Sequence, residues 1–181
     1  NQTRQNPFVA AEQWLSPPQA LPALGEQTQR ARLYSPLHNY FHRIAFRAAR
    51  GWEDVEPYAV LRETVAPNTG AYWGVATADC YAGIAPSWWV DVWGDHNRNG
   101  YLIPLLQHPA QGHVALAPSF ARIARLFGVT HLLSPIEIRS EELLREPSVT
   151  STYLYALGGE RARILPRAEW VRGSEAAARR L

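Results

Sequence analysis

The stretch DHNRNGYLI, residues 95–103, has most of the spacing of a calcium-binding loop. Its oxygen-bearing side chains and its turn glycine fall at loop positions one, three, five and six: Asp95, Asn97, Asn99 and Gly100. Calcium takes about six to eight oxygen ligands, with a bidentate carboxylate at loop position twelve. That position is Leu106 here, so the loop has a single carboxylate. We therefore expect a polar turn, with weak calcium binding as the alternative and no other cofactor.

Two histidines four residues apart, His38 and His42, lie in the segment LHNYFHRIAFRAARG, residues 37–51. On a helix, side chains with this spacing share a face, as a pair of zinc ligands does. The sequence HNYFH lacks the Glu of a zinc-protease motif, and no third ligand lies nearby in the sequence. A solvated or hydrogen-bonded histidine pair is favoured over a metal site.

The densest polar cluster in an apolar neighbourhood consists of Asp91, Asp95 and His96. Two carboxylates and an imidazole could serve as acid and base in a cleft, so a freestanding enzyme is one hypothesis. The same residues are flanked by tryptophans, which makes a surface aromatic loop the competing interpretation.

The segment WWVDVW, residues 88–93, is the strongest candidate for a binding surface. An aromatic face beside hydrogen-bonding groups suits a sugar ring or a lipid head-group boundary. In a continuous buried strand Asp91 would need a charge partner, so we expect an exposed segment that contacts another molecule. The candidate binding residues are Trp88, Trp89, Trp93, Asp91 and Tyr101.

Composition excludes several function classes. The chain has 181 residues, of which 46% are hydrophobic and 19% charged, so it should fold as one domain. All 18 basic residues are Arg, which excludes a Schiff-base lysine and a phosphate-loop lysine. The arginines are scattered, so no basic stripe indicates nucleic acid. The chain contains no Met, and we expect a mature form or a piece of a longer protein.

The first half of the chain combines an arm with a strand and a helix. Residues 1–29 are rich in Pro and Gln and predict an extended arm with little regular structure. ARLYS (31–35) predicts a short strand, and residues 37–51 have apolar side chains at helical spacing. After the turn VAPNTG, the sequence AYWGVAT (71–77) predicts a strand.

The second half gives clearer element boundaries. APSFARIARLFG (117–128) predicts a helix ended by Gly128, and VTHLLS (129–134) predicts a buried strand. Ser140 and the two glutamates after it predict a short helix that Pro147 stops. TYLYAL and ARILPRAEWV predict a hairpin around two glycines, followed by a last helix.

These elements predict an α/β fold: residues 30–181 form a single domain whose mixed sheet is flanked by helices and carries a C-terminal hairpin. The extended N-terminal arm, residues 1–29, precedes it.

Four segments occur in the order of a known family: RLYS, VAPNTGAYWGVATADCYAGIAP, ARLFGVTHLLS and LYALGGERARILPRAEWV. Together, over residues 30–172, they resemble the large extracytoplasmic domain of YfhO-like bacterial membrane proteins, which are related to glycosyltransferases of the GT-C type. Asp79-Cys80-Tyr81 stands where that family usually has Asp-Gly-Tyr, and WWVDVWGDHNRNGYLIP has no counterpart.

The resemblance implies a non-catalytic domain between membrane helices, facing the periplasm or the cell exterior. Its partners would be the membrane-embedded part of the same polypeptide and a glycan or lipid-linked sugar of the cell envelope. The acidic catalytic residue of GT-C enzymes has no counterpart here, so no catalytic residue is carried over. A glycan-binding module acting through the Trp-rich segment is the alternative, and the freestanding enzyme is a third hypothesis.

Overall fold

The computed structural model describes residues 10–50, 53–78, 106–107, 114–116, 118–146 and 152–158. Its α-helices are α1 (Ala11–Leu15), α2 (His38–Ala48), α3 (Glu56–Arg62) and α4 (Pro118–Leu126), and 3₁₀ helices span Pro22–Gln29 and Thr69–Trp73. Its strands are β1 (Arg32–Tyr34), β2 (Ala76–Thr77), β3 (Leu106–Gln107), β4 (Val114–Leu116), β5 (His131–Ser134), β6 (Ile138–Arg139), β7 (Leu144–Arg145) and β8 (Tyr153–Ala156). None of the helices in these ranges is both long and apolar enough to cross a membrane.

The main sheet has five strands in the order β2-β1-β5-β8-β7. Strand β1 is parallel to β2 and β5, whereas β8 is antiparallel to β5 and β7. A smaller sheet has the order β3-β4-β6 and is also mixed. The predicted α/β fold with a mixed sheet is confirmed.

Both faces of the main sheet are buried at its inner strands β1, β5 and β8. Side chains alternate along a strand, so Leu33 and Leu133 enter one core while Tyr34 and Leu132 enter the other. The second core is covered by α4, whose Phe120 stacks on Tyr34 with ring centroids 5.9 Å apart. Burial on both faces is also seen in β5, whose four residues are all buried although only its two central leucines are apolar.

The N-terminal segment covers the opposite face of the sheet. The apolar side chains that it adds to the core with Leu33 are Ala20, Leu21 and Leu24. The sequence predicts little regular structure over residues 1–29, but the described part contains α1 and a 3₁₀ helix that begins at Pro22. This helix is kinked at Gly25, where φ is 50°. Burial of the apolar side chains against the sheet favours these compact turns over an extended arm.

The predicted helix after Ser140 is wrong. The Glu142 N–H donates to Ser140 Oγ at 3.3 Å, so the local capping signal is real. The chain then forms strand β7 because it pairs with β8. The Arg145 guanidinium lies 4.7 Å from the centroid of the Tyr153 ring, which stabilises the pairing through a cation–π contact.

The predicted strand at residues 71–77 is correct only at its end. The 3₁₀ helix Thr69–Trp73 occupies most of it, and Ala76–Thr77 alone form β2. Asn68 and Gly74 flank the 3₁₀ helix with φ of 68° and 69°. Left-handed residues at both ends turn the chain and prevent a longer strand.

The predicted C-terminal hairpin is described only in its first strand, β8. Its second strand and the last helix lie outside the described residues. Within the described residues, β8 is the central strand of an antiparallel set with β5 and β7.

Candidate functional site: an aromatic pocket with two histidines

An open pocket of about 290 Å³ lies among α1, α2, α3 and the 3₁₀ helix Thr69–Trp73. Its ring-bearing lining residues are Trp14, His38, His42, Tyr58, Tyr72 and Trp73. The other lining residues are Leu15, Leu61, Arg62, Ala66 and Thr69. An apolar, aromatic cavity with a few polar groups is the usual composition of a small-molecule site, and this volume suits one ring-sized ligand.

The topology places this pocket at an edge where α/β folds bind ligands. Strand β1 ends at Tyr34, and α2 begins at His38, just beyond the carboxyl end of β1. The chain crosses from β1 to β2 on one side, whereas β5 lies on the other side of β1. Open sheets bind ligands outside the carboxyl ends of strands where the strand order reverses in this way.

His38 is buried, with 8% of its surface exposed. Its Nδ1 lies 2.9 Å from Oγ1 of Thr64, a fully buried residue that follows α3. Burial, with a smaller effect from the nearby His42, lowers the pKa of His38 from 6.5 to about 4. The imidazole is therefore neutral at physiological pH.

His42 lies one helical turn after His38, with ring centroids 6.2 Å apart. It makes an edge contact with the Tyr58 ring at 5.7 Å, and burial raises the pKa of Tyr58. The predicted shared helix face is confirmed, but the hydrogen-bond partner of His38 is Thr64. Within the described ranges, no group of three or more His, Cys, Asp or Glu side chains could hold a metal ion.

Hydrogen bonds fix α1 as one wall of the pocket. Arg62 Nη1 donates to the Trp14 carbonyl at 3.2 Å and to Ser16 Oγ at 2.9 Å, and Trp73 Nε1 donates to the Leu15 carbonyl at 3.0 Å. Arg62 Nη2 also forms an ion pair with Glu63 at 2.7 Å, and the side chains are 14% and 12% exposed. The guanidinium is thus used to join α3 to the N-terminal segment, and its charge is matched by its neighbour.

The binding and metal residues predicted from sequence all lie within residues 79–105, outside the described residues. The hypotheses that involve Trp88, Asp91 or Asp95 therefore stay predictions. Sequence reasoning singled out the two pocket histidines but missed the aromatic and arginine lining. The available signal is the aromatic pair Tyr72-Trp73 after a turn, in a segment that the sequence pattern predicts to be a strand. No local pattern links this pair to Trp14.

No protein-family model matches the chain, and searches of curated proteins and of solved structures find no match. The resemblance to YfhO-like domains therefore stays a prediction. The function is therefore inferred from the chemistry of the pocket.

Proposed function

We propose that this chain is a non-catalytic extracytoplasmic domain of a polytopic bacterial membrane protein that handles cell-envelope glycans, and that it binds a glycan in the aromatic pocket. The observation that best supports glycan binding is that indole, phenol and imidazole rings line the pocket. Sugar rings present an apolar C–H face to aromatic rings and hydroxyls to polar groups at the rim. The resemblance of the segment order supports the membrane setting.

Binding is favoured over catalysis because the described lining of the pocket is rich in aromatic rings and includes no carboxyl pair. Glycoside hydrolysis generally uses a pair of carboxyl groups. Of the described residues that line the pocket, none is Asp or Glu. The hydroxyl beside His38 belongs to Thr64, whose proton is donated to the Leu61 carbonyl at 2.7 Å, so this hydroxyl is not an activated nucleophile.

We propose no resident cofactor for this function. Calcium at Asp95, Asn97 and Asn99 would bind weakly, because a single carboxylate supplies too little charge. Glycan recognition through the aromatic pocket does not depend on it.

The test is a calorimetric titration of the purified chain with methyl β-pyranosides. The sugars are glucose, galactose, mannose and N-acetylglucosamine. Tyr72 lines the pocket with 73% of its surface exposed, so Tyr72→Ala removes a stacking face without opening a core. The dissociation constant should rise about tenfold in this variant.

The matched control is Phe46→Ala, which removes an exposed aromatic ring (47%) of α2 outside the pocket lining. It should leave the affinity unchanged. Equal losses in both variants, or no binding of any pyranoside by the unaltered chain, would contradict the proposal. The membrane setting is tested separately by the open reading frame, which should encode apolar spans on both sides of this domain.

A further inference from the structure

The hydrogen bonds around Thr64 fix the tautomer of His38. Thr64 Oγ1 lies 2.7 Å from the Leu61 carbonyl oxygen, and a carbonyl cannot donate, so the single hydroxyl proton of Thr64 lies between these atoms. The same Oγ1 is 2.9 Å from His38 Nδ1 and must accept from it. Nδ1 of His38 is therefore protonated, and in the neutral ring Nε2 has the lone pair.

The surrounding contacts hold this arrangement in place. Thr64 is fully buried, its N–H donates to Leu61 at 3.0 Å, and its carbonyl accepts from the Ser35 hydroxyl. Ser35 follows β1 and His38 begins α2, so the segment that joins strand to helix is bonded to Thr64 at both ends. The imidazole cannot rotate without breaking the bond to Thr64.

Nε2 is the ring nitrogen that is left for a ligand. His38 lines the pocket whereas Thr64, the partner of its Nδ1, does not, which points to Nε2 as the nitrogen on the cavity side. Within the described part of the chain, no side chain or backbone group donates to Nε2. Nε2 is thus a fixed hydrogen-bond acceptor for a ligand donor.

The charge of the pocket also limits what it can bind. Among the described lining residues, Arg62 alone has a permanent charge, and its guanidinium is paired with Glu63 at 2.7 Å and bonded to Ser16. A lone pair on Nε2 repels an anionic oxygen, since neither group has a proton to share. The described lining therefore offers an aromatic surface and an acceptor, and the charge of its Arg62 is already paired with Glu63 rather than left for a carboxylate or phosphate.

We infer that His38 is the specificity-determining residue of the pocket, and that its Nε2 accepts a hydrogen bond from a hydroxyl of an uncharged pyranose. This rests on the proposed function and deepens it: the ligand is a neutral sugar, whereas uronic acids and sugar phosphates are rejected. The Thr64 hydroxyl acts through His38, as a positioning residue that selects the tautomer.

The experiment measures the affinity of the full chain at pH 7.5 for methyl β-D-glucopyranoside, its monodeoxy analogues, methyl β-D-glucuronide and glucose 6-phosphate. His38→Asn keeps an amide N–H for Thr64 and removes the Nε2 acceptor, whereas His38→Gln places an amide oxygen near the Nε2 position. We expect the neutral glucoside to bind His38→Asn about tenfold more weakly, with partial recovery in His38→Gln. One monodeoxy analogue should bind the unaltered chain weakly and be insensitive to the Asn substitution.

Long-range ¹H–¹⁵N NMR spectra provide a readout that needs no ligand: His38 should show a protonated Nδ1 and an unprotonated Nε2 in the unaltered chain. The opposite tautomer would overturn the inference. Tighter binding of the glucuronide or phosphate than of the neutral glucoside, or equal affinity of His38→Asn, would overturn it while leaving glycan binding in place. Absence of binding by every sugar would overturn the proposed function and this inference together.

Discussion

Replacing His38 with Asn should remove the destabilisation in acid that arises from protonation of this histidine. The pKa of His38 is about 4 in the folded chain, against 6.5 for an ordinary His. Between these values the unfolded chain binds more protons than the folded one, so protonation favours unfolding. Above pH 6.5 His38 is neutral in both the folded and the unfolded chain, and its full contribution to the free energy of unfolding is present. This contribution decreases as the pH falls from 6.5 toward 4.

The magnitude follows from proton linkage. A shift from 6.5 to about 4 corresponds to a total of about 3 kcal/mol, of which about 2 kcal/mol is lost by pH 5. His38 is only 8% exposed, so solvent screening does not remove most of this contribution. Typical domains have about 5–15 kcal/mol of stability, so the effect is measurable.

Urea unfolding followed by tryptophan fluorescence at pH 7.5, 6 and 5 measures this effect. The unaltered chain should lose stability relative to His38→Asn as the pH falls, by about 2 kcal/mol between pH 7.5 and pH 5. Burial also lowers the pKa of His131, with Glu146 opposing it, and this contribution cancels because both chains contain His131. A difference between the two chains that does not change with pH would refute the burial argument.

Three further predictions follow from packing and from the calcium-like loop. Phe120→Ala should destabilise the fold by about 3–5 kcal/mol in urea unfolding, because it empties the core beside α4; a loss below about 1 kcal/mol would contradict the packing. Gly70→Ala should cost about 1–3 kcal/mol, since its Cβ would lie 2.5 Å from the Val75 carbonyl oxygen, whereas Ala71→Ser at an exposed position should be nearly neutral in the same assay. Millimolar calcium should leave the melting temperature unchanged in the unaltered chain and in Asp95→Ala; a rise of several degrees that the substitution abolishes would show a real site.

The elements that the sequence predicts correctly have strong local signals. Helix α4 has apolar residues at helical spacing and ends before Gly128, whose φ is 66°. Strand β5 is buried along its whole length, as predicted, and β1 is a short strand before Pro36. In each case the residue pattern and the residues that end the element predict the same structure that burial in the core favours. Tertiary contacts therefore reinforce the local preference.

The errors have physical causes of two kinds. At Ser140 a genuine local capping interaction was followed by a strand, because pairing with β8 outweighed the helical preference. Helix α3 was not predicted, although its start carries ordinary signals: Asp54 accepts from the Glu56 N–H at 3.0 Å, and Pro57 lies in the first turn. The start of helix α3 is thus encoded locally, whereas strand β7 depends on its pairing with β8.

The pocket could be predicted only in part. The spacing of His38 and His42 places both on one face of α2, which the sequence shows directly. The partner of His38 is Thr64, from a turn after a different helix, and the wall containing Trp14 depends on the bonds made by Arg62. These contacts join segments far apart in sequence, and no local pattern encodes them.

The most direct test of the central claim is an NMR titration of the indole N–H signals of the full chain with methyl β-D-glucopyranoside. The account predicts that the signals of Trp14 and Trp73, which line the pocket, shift in a saturable way. The control is the same titration of Tyr72→Ala, in which the shifts should need about tenfold more sugar. Saturable shifts confined to Trp88, Trp89 and Trp93, with Trp14 and Trp73 unchanged, would contradict the account and place glycan binding in the Trp-rich segment instead.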